Sequence, residues 1–329
     1  MTQVITTTTG LYPLPDWAKA DLEDLKGHQK SDLIDGDEGA EIRSAYDDAR
    51  AEVVGVQQDA GLDRIVEGQL RWDDMLGHPL AVADNVDTRG IVRYYDNNNF
   101  YREPVVTGDL EATGDVAGEL EAAAELVDSG LQAVLPGPYS LADLATDEHY
   151  GDDLLPAVAD FLAGELAEFP EVETLFLHEP SLVENPPGEG EDERASEAID
   201  AVATATDADV VCHTYWGALE EKVHAHLLDA DIDAVGYDFV SNHEDNAYNI
   251  NEYGTKDDIA VGVVDGQNTR VEDTEEIAER VEWVLDNTPA TDFDTVYATP
   301  NTETFYLPVS KFEEKLAQLG ALELTEVTA

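Results

Sequence analysis

Short apolar runs alternate with longer amphipathic segments along this chain. The apolar runs span residues 4–8, 64–67, 132–135, 174–177, 209–213, 234–239, 259–264 and 295–298. The amphipathic segments span residues 39–60, 116–129, 154–168, 192–206, 219–229, 274–287 and 309–319. Runs that are apolar throughout are typical of strands buried on both faces, and their alternation with helical segments predicts a parallel sheet covered by helices.

The number of these units bears on the architecture. About eight of them in 329 residues favour a closed α/β barrel, the (β/α)8 or TIM-like barrel. An open, doubly wound parallel sheet is the alternative that this pattern does not exclude. Because no segment has the composition of a linker, we expect residues 1–329 to form a single barrel domain.

Three segments depart from this regularity. Residues 71–104 are rich in Asp, Asn and aromatic residues and show little periodicity. The segment is too long for a plain connector, and long loops in compact domains are usually functional. Residues 185–192 are typical of an exposed loop, and the first 40 residues are expected to form a lid or a short arm.

The charge is extreme, with 74 acidic against 17 basic residues and a formal net charge of −57. The acidic residues are spread over every segment, so they do not form a disordered tail. At molar salt the Debye length is about 3 Å, and surface carboxylates then repel one another weakly. The composition therefore predicts a protein of the cytosol of an extreme halophile. It also argues against nucleic acid as a partner, since a phosphate backbone needs a basic surface.

The sequence contains few features that would indicate export, membrane insertion or redox chemistry. Residues 1–9 show no signal segment, and no apolar run approaches the roughly 18–20 residues of a membrane span, so a soluble cytoplasmic protein with no membrane partner is expected. The one cysteine, Cys212, lies in an apolar run, which favours a buried structural thiol over a reactive one. Disulfide frameworks and cysteine-rich metal sites are excluded.

Polar residues and glycines follow most predicted strands. In a parallel barrel the functional site lies at the carboxyl ends of the strands. The motifs there are Gly68-Gln69, Pro136-Gly137-Pro138-Tyr139-Ser140, His178-Glu179-Pro180, His213-Thr214-Tyr215-Trp216-Gly217, Asp238, Asp265-Gly266-Gln267-Asn268 and Thr299-Pro300-Asn301-Thr302-Glu303. Together they indicate a pocket at one end of the barrel.

Each motif also has a purely structural interpretation. His213 is compatible with a hydrogen-bonded residue at a strand end, and His178-Glu179-Pro180 with a turn. The Gly-Pro pairs are equally compatible with backbone turns. The aromatic residues of the irregular segment, Tyr94, Tyr95, Phe100 and Tyr101, either pack that segment on the barrel or stack a flat ligand such as a pteridine.

The best local set for a metal is His178, Glu179, His213 and Asp238, but sequence alone does not show that they converge. The chain has no Cys-x-x-Cys or His-Glu-x-x-His motif, no glycine-rich phosphate loop and no Gly-x-Ser-x-Gly elbow.

Four segments carry a resemblance to a known family. They are Tyr-Tyr-Asp-Asn-Asn-Asn-Phe-Tyr-Arg-Glu-Pro at 94–104, His-Thr-Tyr-Trp-Gly at 213–217, Gly-Val-Val-Asp-Gly-Gln-Asn at 262–268 and Leu-Pro-Val at 307–309. Over residues 8–316 the chain resembles cobalamin-independent methionine synthase, an enzyme of two related barrels. These segments are more similar to its N-terminal barrel than to its C-terminal one. Together with the acidic composition, the resemblance implies a haloarchaeal type of this family. The resemblance implies a barrel of the uroporphyrinogen decarboxylase and methionine synthase type.

The zinc-binding C-terminal barrel of that enzyme offers a second comparison. By the resemblance, His213 falls on a zinc-ligating histidine, Tyr215 on a cysteine ligand, Asp238 near a glutamate ligand and Thr302 near a second cysteine. Gln69 falls on the homocysteine-binding glutamate, and His178 on the aspartate of an Asp-Glu-Pro motif. Asp74 belongs to a retained Asp-Met pair. With both thiolate ligands replaced, we expect no zinc and no homocysteine site of that type.

The resemblance implies a component of methionine synthesis, in which a methyl-tetrahydrofolate-type donor methylates homocysteine. The chain would be the zinc-free half of a split enzyme whose partner is a zinc-bearing barrel in a separate chain. The alternatives are a stand-alone methyltransferase with another donor or an altered metal site, and a non-catalytic barrel that stabilises its partner. The expected substrate-binding residues are Gln69, Asp74, Asp96, Asn98, Tyr101, Arg102, His178, Glu179, His213, Tyr215, Asp238 and Asp265.

Overall fold

The computed structural model describes residues 2–25, 38–95 and 100–324. The strands within these ranges are β1 (Gln3–Thr6), β2 (Ile65–Val66), β3 (Val86–Val92), β4 (Tyr101–Val106), β5 (Leu131–Pro136), β6 (Thr146–Asp147), β7 (Thr174–His178), β8 (Asp209–His213), β9 (Ala234–Asp238), β10 (Asp258–Val264) and β11 (Thr295–Pro300). Eight of these described strands form one parallel sheet in the order β1-β11-β10-β9-β8-β7-β5-β2.

This strand order is circular. Each unit along the chain moves one position in the same direction, so the first and second strands, β1 and β2, end at opposite edges of the order. The two edges meet where the main-chain N–H groups of Asp63 and Arg64 donate to the carbonyl of Thr6, each at 3.1 Å. The predicted (β/α)8 barrel is therefore confirmed. The doubly wound alternative is wrong, because such a sheet reverses direction at a switch point.

The helices cover the outside of the barrel. In the described ranges they are α1 (Asp16–Leu25), α2 (Ala40–Ala60), α3 (His78–Ala81), α4 (Asp115–Ala124), α5 (Pro138–Leu144), α6 (Leu154–Leu166), α7 (Ser181–Glu184), α8 (Glu191–Ala203), α9 (Glu221–Leu227), α10 (His243–Tyr253), α11 (Thr274–Asn287) and α12 (Val309–Gly320). None of them is both long and apolar enough to cross a membrane.

The strands follow the predicted apolar runs closely because both faces are covered. Every residue of β5, β7 and β9 is buried, which leaves no polar alternation in the sequence. The predicted helix at 116–129 ends earlier, at Ala124, and a turn leads to Gly130 in the left-handed region with φ 78°. The chain reverses there to enter β5.

The irregular segment forms a second sheet instead of the expected long loop. Within the described residues β3 and β4 pair antiparallel, and β6 adds to β4 in parallel. The register of β3 with β4 shifts between Thr88 and Ile91. That irregularity, and the exposure of most of β3, hide the alternation by which such a hairpin is usually recognised.

The N-terminal segment is part of the barrel in its described portion. Residues 5–13, from the second half of β1 onward, are buried, and α1 packs Leu22 against Ile42 and Ala45 of α2. Residues 2–25 thus supply a strand and an outer helix. Residues 26–37 of the expected lid or arm lie outside the described residues, and Ala40 already begins α2.

Candidate functional site at the carboxyl ends of the strands

Two histidines lie side by side at the carboxyl ends of β7 and β8. His178 and His213 are direct partners in the parallel register of these strands, so their side chains point to the same face of the sheet. Gly236 of β9 makes room for the His213 ring, because a Cβ at this position would lie 2.5 Å from the ring carbon Cδ2. The ring of Phe176 stacks on His213 with centroids 6.0 Å apart. The sequence motifs at these two strand ends therefore come together.

Tyr215 joins both histidines. Its hydroxyl is 3.0 Å from Nδ1 of His178, and its ring centroid lies 5.2 Å from that of His178 and 5.3 Å from that of His213. The next residue, Trp216, has a φ of 62°, which turns the chain sharply after the tyrosine. All three side chains are at most 1% exposed. They form one cluster, which we call the His-Tyr cluster (His178, His213, Tyr215).

Burial keeps the cluster electrically neutral. Desolvation lowers the pKa of His178 well below its ordinary value of 6.5, and the nearby His213 adds to this effect. Burial lowers the pKa of His213 to about 3, and the Thr214 backbone opposes this shift. Burial also raises the pKa of Tyr215 well above 10.0. At neutral pH the cluster is two uncharged imidazoles and one phenol.

Some polar atoms near the strand ends have no protein partner. They include Nε2 of His178, both ring nitrogens of His213, Oγ1 of Thr299 and Oδ2 of Asp238, all buried and without a hydrogen bond among the described residues. Buried polar groups in proteins are almost always satisfied, so such atoms indicate a place for water or a ligand.

Asp238 links neighbouring loops through one carboxylate oxygen, while its other oxygen has no hydrogen bond among the described residues. Its Oδ1 accepts hydrogen bonds from the N–H groups of Val240 and Ser241, at 3.0 and 2.8 Å. The same oxygen accepts from Nδ2 of Asn301 at 3.0 Å, and Oδ1 of Asn301 accepts from the N–H of Gly266 at 3.0 Å. Burial raises the pKa of Asp238 despite these donors. Asn301, which the sequence placed in a strand-end motif without a predicted binding role, thus connects the loops after β9, β10 and β11.

Gln69 connects the loops after β1 and β2. Its Oε1 accepts the N–H of Leu11 at 2.6 Å, and a Cβ on Gly10 would lie 2.3 Å from this oxygen. Gly10, Leu11, Gly68 and Gln69 have φ values of 74°, 49°, 102° and 47°, all in the left-handed region. Gln69 was predicted to bind substrate, but its side-chain oxygen is already hydrogen-bonded to the main chain of Leu11.

Glu67 supports this arrangement and was missed in the sequence. Its Oε1 accepts the N–H of Gln69 at 2.8 Å, and it is 2% exposed. Burial, reinforced by the carboxylate of Glu119 and opposed by Arg50, raises the pKa of Glu67 to about 8. The only sequence signal was an acidic residue at the end of an apolar run.

Glu179 turns away from the His-Tyr cluster to the start of α5. Its carboxylate accepts the N–H groups of Tyr139 and Ser140 at 2.9 and 2.7 Å, and the hydroxyl of Ser140 at 2.6 Å. Gly137 permits this approach, since a Cβ there would lie 2.2 Å from the Glu179 carboxyl carbon. Burial raises the pKa of Glu179 to about 7, and the three donors oppose that rise.

The predicted residues of the irregular segment form turns and packing contacts. Oδ1 of Asp74 accepts from Leu76 and Gly77, at 2.8 and 2.6 Å, and its Oδ2 accepts from the main chain of Arg102 at 3.1 Å. The Arg102 side chain pairs with Asp73 at 2.8 Å. The ring of Tyr101 packs edge-on against Tyr94 and Tyr95.

The remaining predicted residues divide into two groups. Oδ1 of Asp265 accepts the N–H groups of Gln267 and Asn268, both at 3.0 Å, which closes a turn after β10. Asp96 and Asn98 lie outside the described residues. Of the aromatic residues, Tyr95 contacts Trp216 with centroids 5.1 Å apart and bonds Ser181 through its hydroxyl at 2.8 Å. The rings of Tyr94, Tyr95 and Tyr101 pack on one another, whereas Phe100 is exposed.

Among residues 2–25, 38–95 and 100–324, no group of three or more His, Cys, Asp or Glu side chains is arranged to hold a metal ion. The set of His178, Glu179, His213 and Asp238 does not converge as a metal site, because Glu179 points to α5. Cys212 is fully buried, which raises the pKa of its thiol well above 9.0.

Comparison with known proteins adds a family to this geometry. Residues 4–302 match the family model of the cobalamin-independent synthase catalytic domain. The chain is 25% identical over 287 residues to a methionine synthase of Sulfurisphaera tokodaii, which covers 85% of this chain and 81% of that protein. It is 24% identical over 288 residues to a methionine synthase of Saccharolobus islandicus, over 85% and 83% of the two chains.

A solved structure shows the same fold. A B12-independent methionine synthase from a Shewanella species, in complex with selenomethionine, superposes with a TM-score of 0.78 at 19% identity. The similarity covers 97% of this chain and 96% of that one. At this identity the likeness is one of fold.

Proposed function

The chain belongs to the cobalamin-independent methionine synthase family, and we propose on that basis that it takes part in methyl transfer to homocysteine as the zinc-free component of a two-chain enzyme. The observation that carries the proposal is Tyr215. The family resemblance expects a zinc-binding thiolate at this position, and here a phenol bonds His178 at 3.0 Å.

The other residues at the family's zinc positions do not fit a zinc ion. Thr302 replaces the second thiolate, and Oδ1 of Asp238 is engaged by Val240, Ser241 and Asn301. Zinc in such sites needs three or four ligands at about 2.0–2.3 Å, with thiolates the preferred soft donors. Activation of the homocysteine thiol by zinc therefore belongs to another chain.

The proposed partner is a zinc-bearing barrel of the same family in a separate chain. The proposed methyl donor is a methyl-tetrahydrofolate-type compound. The N-terminal-barrel character of residues 94–104 and 262–268 supports this division of labour. The scarcity of basic residues, 17 in the chain, argues against a strongly anionic tail on the donor.

A stand-alone methyltransferase is the second candidate, and one observation favours it. The matched family model is that of the catalytic domain, and the chain spans 81% and 83% of the two curated relatives. Such a protein would use another methyl donor or another means of thiol activation. A barrel that only stabilises its partner is the third candidate.

The working environment is proposed to be molar salt, in a haloarchaeal type of cell. The formal charge of −57 spread over the chain supports this, since only strong screening makes such a surface compatible with a compact fold.

A reconstitution separates these candidates. Methionine formation is measured in molar KCl with homocysteine and methyl-tetrahydrofolate, for this chain alone, for the zinc-bearing barrel alone, and for both. The two-chain proposal expects turnover only, or at least tenfold faster, with both chains. A partner stripped of zinc by chelation serves as the control and should be inactive.

Two results would overturn the proposal. Turnover by this chain alone identifies a stand-alone methyltransferase. A partner whose rate is unchanged by this chain, but whose melting temperature rises on adding it, identifies a stabilising barrel. Deleting the gene tests the pathway itself, because growth without methionine would contradict the assignment in a cell with no second copy.

A further inference from the structure

A cavity of about 500 Å³ lies outside the barrel strands, between helices α10 and α11. Its walls come from the start of α10, one face of α11 and the loop after β9, and none of its lining residues belongs to the His-Tyr cluster. The α11 positions in the lining are 276, 279, 280 and 283, which follow the i, i+3, i+4, i+7 spacing of one helical face. A volume of this size is typical of a small-molecule site.

One wall of the cavity is apolar and aromatic. The ring of Trp283 on α11 meets the ring of His243 on α10 edge-on, with centroids 5.0 Å apart. Phe239 and Val240 line the cavity from the loop after β9. Phe239 is buried, and its N–H donates to the carbonyl of Gly262 at 3.0 Å, so this wall is fixed to the barrel. An apolar ligand group is favoured here, because contact with these side chains removes its surface from water.

Arg280 brings a positive charge to the cavity. Of the two carboxylates near it, Glu276 accepts two hydrogen bonds from Arg270, at 2.8 and 2.5 Å. The other, Glu272, pairs with Lys315 at 2.5 Å. Three basic side chains therefore face two carboxylates. Arg280 uses two of its five N–H groups in hydrogen bonds inside the protein, which leaves donors for an anionic group of a ligand.

Glu279 brings the opposite charge to the same cavity. It is exposed, and among the described residues it forms no hydrogen bond or ion pair. It lies four positions before Trp283 on the helix, so its carboxylate is beside the aromatic wall. A ligand that carries both charges matches this arrangement, whereas a ligand with a single charge leaves either Glu279 or Arg280 unmatched.

We propose that this cavity binds an apolar α-amino acid as its zwitterion, with the ammonium group on Glu279 and the carboxylate on Arg280. The side chain of the amino acid packs against Trp283 and Phe239. In molar salt, where the Debye length is about 3 Å, only direct contacts remain effective, so the ligand must touch both charged groups. The proposal does not depend on the proposed function, since the lining shares no residue with the predicted substrate-binding set.

The tryptophans make binding at this site observable. The chain has four of them, Trp17, Trp72, Trp216 and Trp283, and labelling with 15N-tryptophan gives one indole N–H signal for each. Trp283 reports on the cavity, and Trp216, whose ring lies 5.5 Å from that of Tyr215, reports on the strand ends. Titration of the full chain with L-leucine in molar KCl should shift the Trp283 signal saturably and leave the other three unchanged.

Two analogues of leucine test the requirement for both charges. 4-Methylpentanoate keeps the side chain and the carboxylate but lacks the ammonium group, and 3-methylbutylamine keeps the ammonium group but lacks the carboxylate. L-Leucine should bind about tenfold more tightly than either, the difference expected for one charged hydrogen bond. Equal affinities of the three compounds would mean that the cavity accepts apolar groups only, and would overturn the proposal.

A matched pair of variants tests the role of Glu279. Glu279→Gln should weaken L-leucine binding about tenfold and change 4-methylpentanoate binding by less than about twofold, because that acid has no ammonium group. Glu275→Gln makes the same charge change at an exposed position of α11 outside the lining, and should alter L-leucine binding by less than about twofold. Unchanged Trp17 and Trp72 signals show that each variant is folded. Equal effects of the two variants would overturn the contact with Glu279.

The position of the shift separates this site from the strand ends. A saturable shift of Trp216 without one of Trp283 places amino-acid binding at the strand ends, and overturns the cavity site while leaving the proposed function intact. Absence of a saturable shift in any of the four signals also overturns the cavity site. The two-chain enzyme is judged separately, by methionine formation, so failure of either proposal is recognised independently of the other.

Discussion

The side-chain oxygen of Gln69 accepts the main-chain N–H of Leu11 at 2.6 Å. The two residues lie 58 positions apart, on the loops that follow the first two strands of the barrel. Both have left-handed backbones, with φ values of 47° and 49°. Single residues in this region cost about 1–2 kcal/mol each, so the bond holds two strained turns in place at the mouth of the barrel.

We expect Gln69→Ala to lower the free energy of unfolding by about 1–3 kcal/mol, because it leaves the buried N–H of Leu11 without an acceptor. Urea unfolding in molar KCl measures the change. Gln267→Ala, at an exposed position of another rim loop, is the matched control and should change stability by less than about 0.5 kcal/mol. Equal effects of the two variants would contradict a clamping role for Gln69.

The buried carboxyl of Glu67 predicts a pH dependence of stability. Its pKa is about 8 in the folded chain against an ordinary 4.5, so between these values the folded state holds a proton that the unfolded state has lost. This contribution to stability is fully present below pH 4.5 and is lost as pH rises through 8. Glu67→Gln stays uncharged and should flatten that decline.

The measurement is a series of unfolding curves from pH 4.5 to pH 8 at constant molar salt, over the window that the Glu67 values define. An exposed substitution, Glu121→Gln, controls for the loss of one negative charge. Burial also raises the pKa of Glu179, to about 7, so Glu179→Gln should flatten the lower part of the same window. A Glu67→Gln curve parallel to that of the wild type would show that Glu67 is ionised throughout.

The barrel could be predicted from sequence because its signal is local. An apolar run such as Val210-Val211-Cys212 marks a buried strand by itself, and the rim position of His178 and His213 follows from their place after two such runs. That His178 and His213 lie side by side on β7 and β8 can be predicted without knowledge of side-chain packing, because parallel strands end at the same edge of the sheet.

The roles of the rim residues could not be predicted, because their partners are distant in sequence. Glu179 was expected to face a ligand, but its donors Tyr139 and Ser140 lie about 40 positions earlier and draw it to a helix start. Asn301 was placed in a rim motif, but its bond to Asp238 could not be predicted because the two residues lie 63 positions apart. The hairpin of β3 and β4 was missed because its register shift breaks the alternation.

Restoring the two thiolates should restore zinc binding if Tyr215 and Thr302 occupy the family's ligand positions. The double variant Tyr215→Cys, Thr302→Cys would add two soft ligands to His213 and Asp238. We expect about one zinc per chain by elemental analysis after dialysis, and less than a tenth of that in the wild type. Each single variant is a control, since it lacks one thiolate and should bind more weakly. Stoichiometric zinc in the wild type would contradict the zinc-free assignment.

The acidic surface predicts that stability rises steeply with salt. Between 0.1 M and 1 M salt the Debye length falls from about 10 Å to about 3 Å, which removes most repulsion between neighbouring carboxylates. The melting temperature should therefore rise over this range and then level off. Sucrose at matched osmolality controls for solute exclusion and should produce a much smaller rise. A melting temperature independent of KCl would refute the halophilic interpretation of the −57 charge.

A matched pair of glycine substitutions tests whether the His213 ring occupies the space that Gly236 leaves. An alanine Cβ at position 236 would lie 2.5 Å from Cδ2 of the His213 ring and 3.0 Å from its Cα. The Cα belongs to the neighbouring strand and has little freedom to move, so Gly236→Ala should destabilise the chain by about 1–3 kcal/mol and displace the His213 resonance.

Gly118 lies in helix α4 with nothing within 4 Å of an added Cβ. Gly118→Ala should therefore stabilise the chain by about 0.5–1 kcal/mol, because glycine is unfavourable inside a helix. Opposite signs in urea unfolding support the packing of His213 against β9, whereas a neutral Gly236→Ala would place the ring elsewhere.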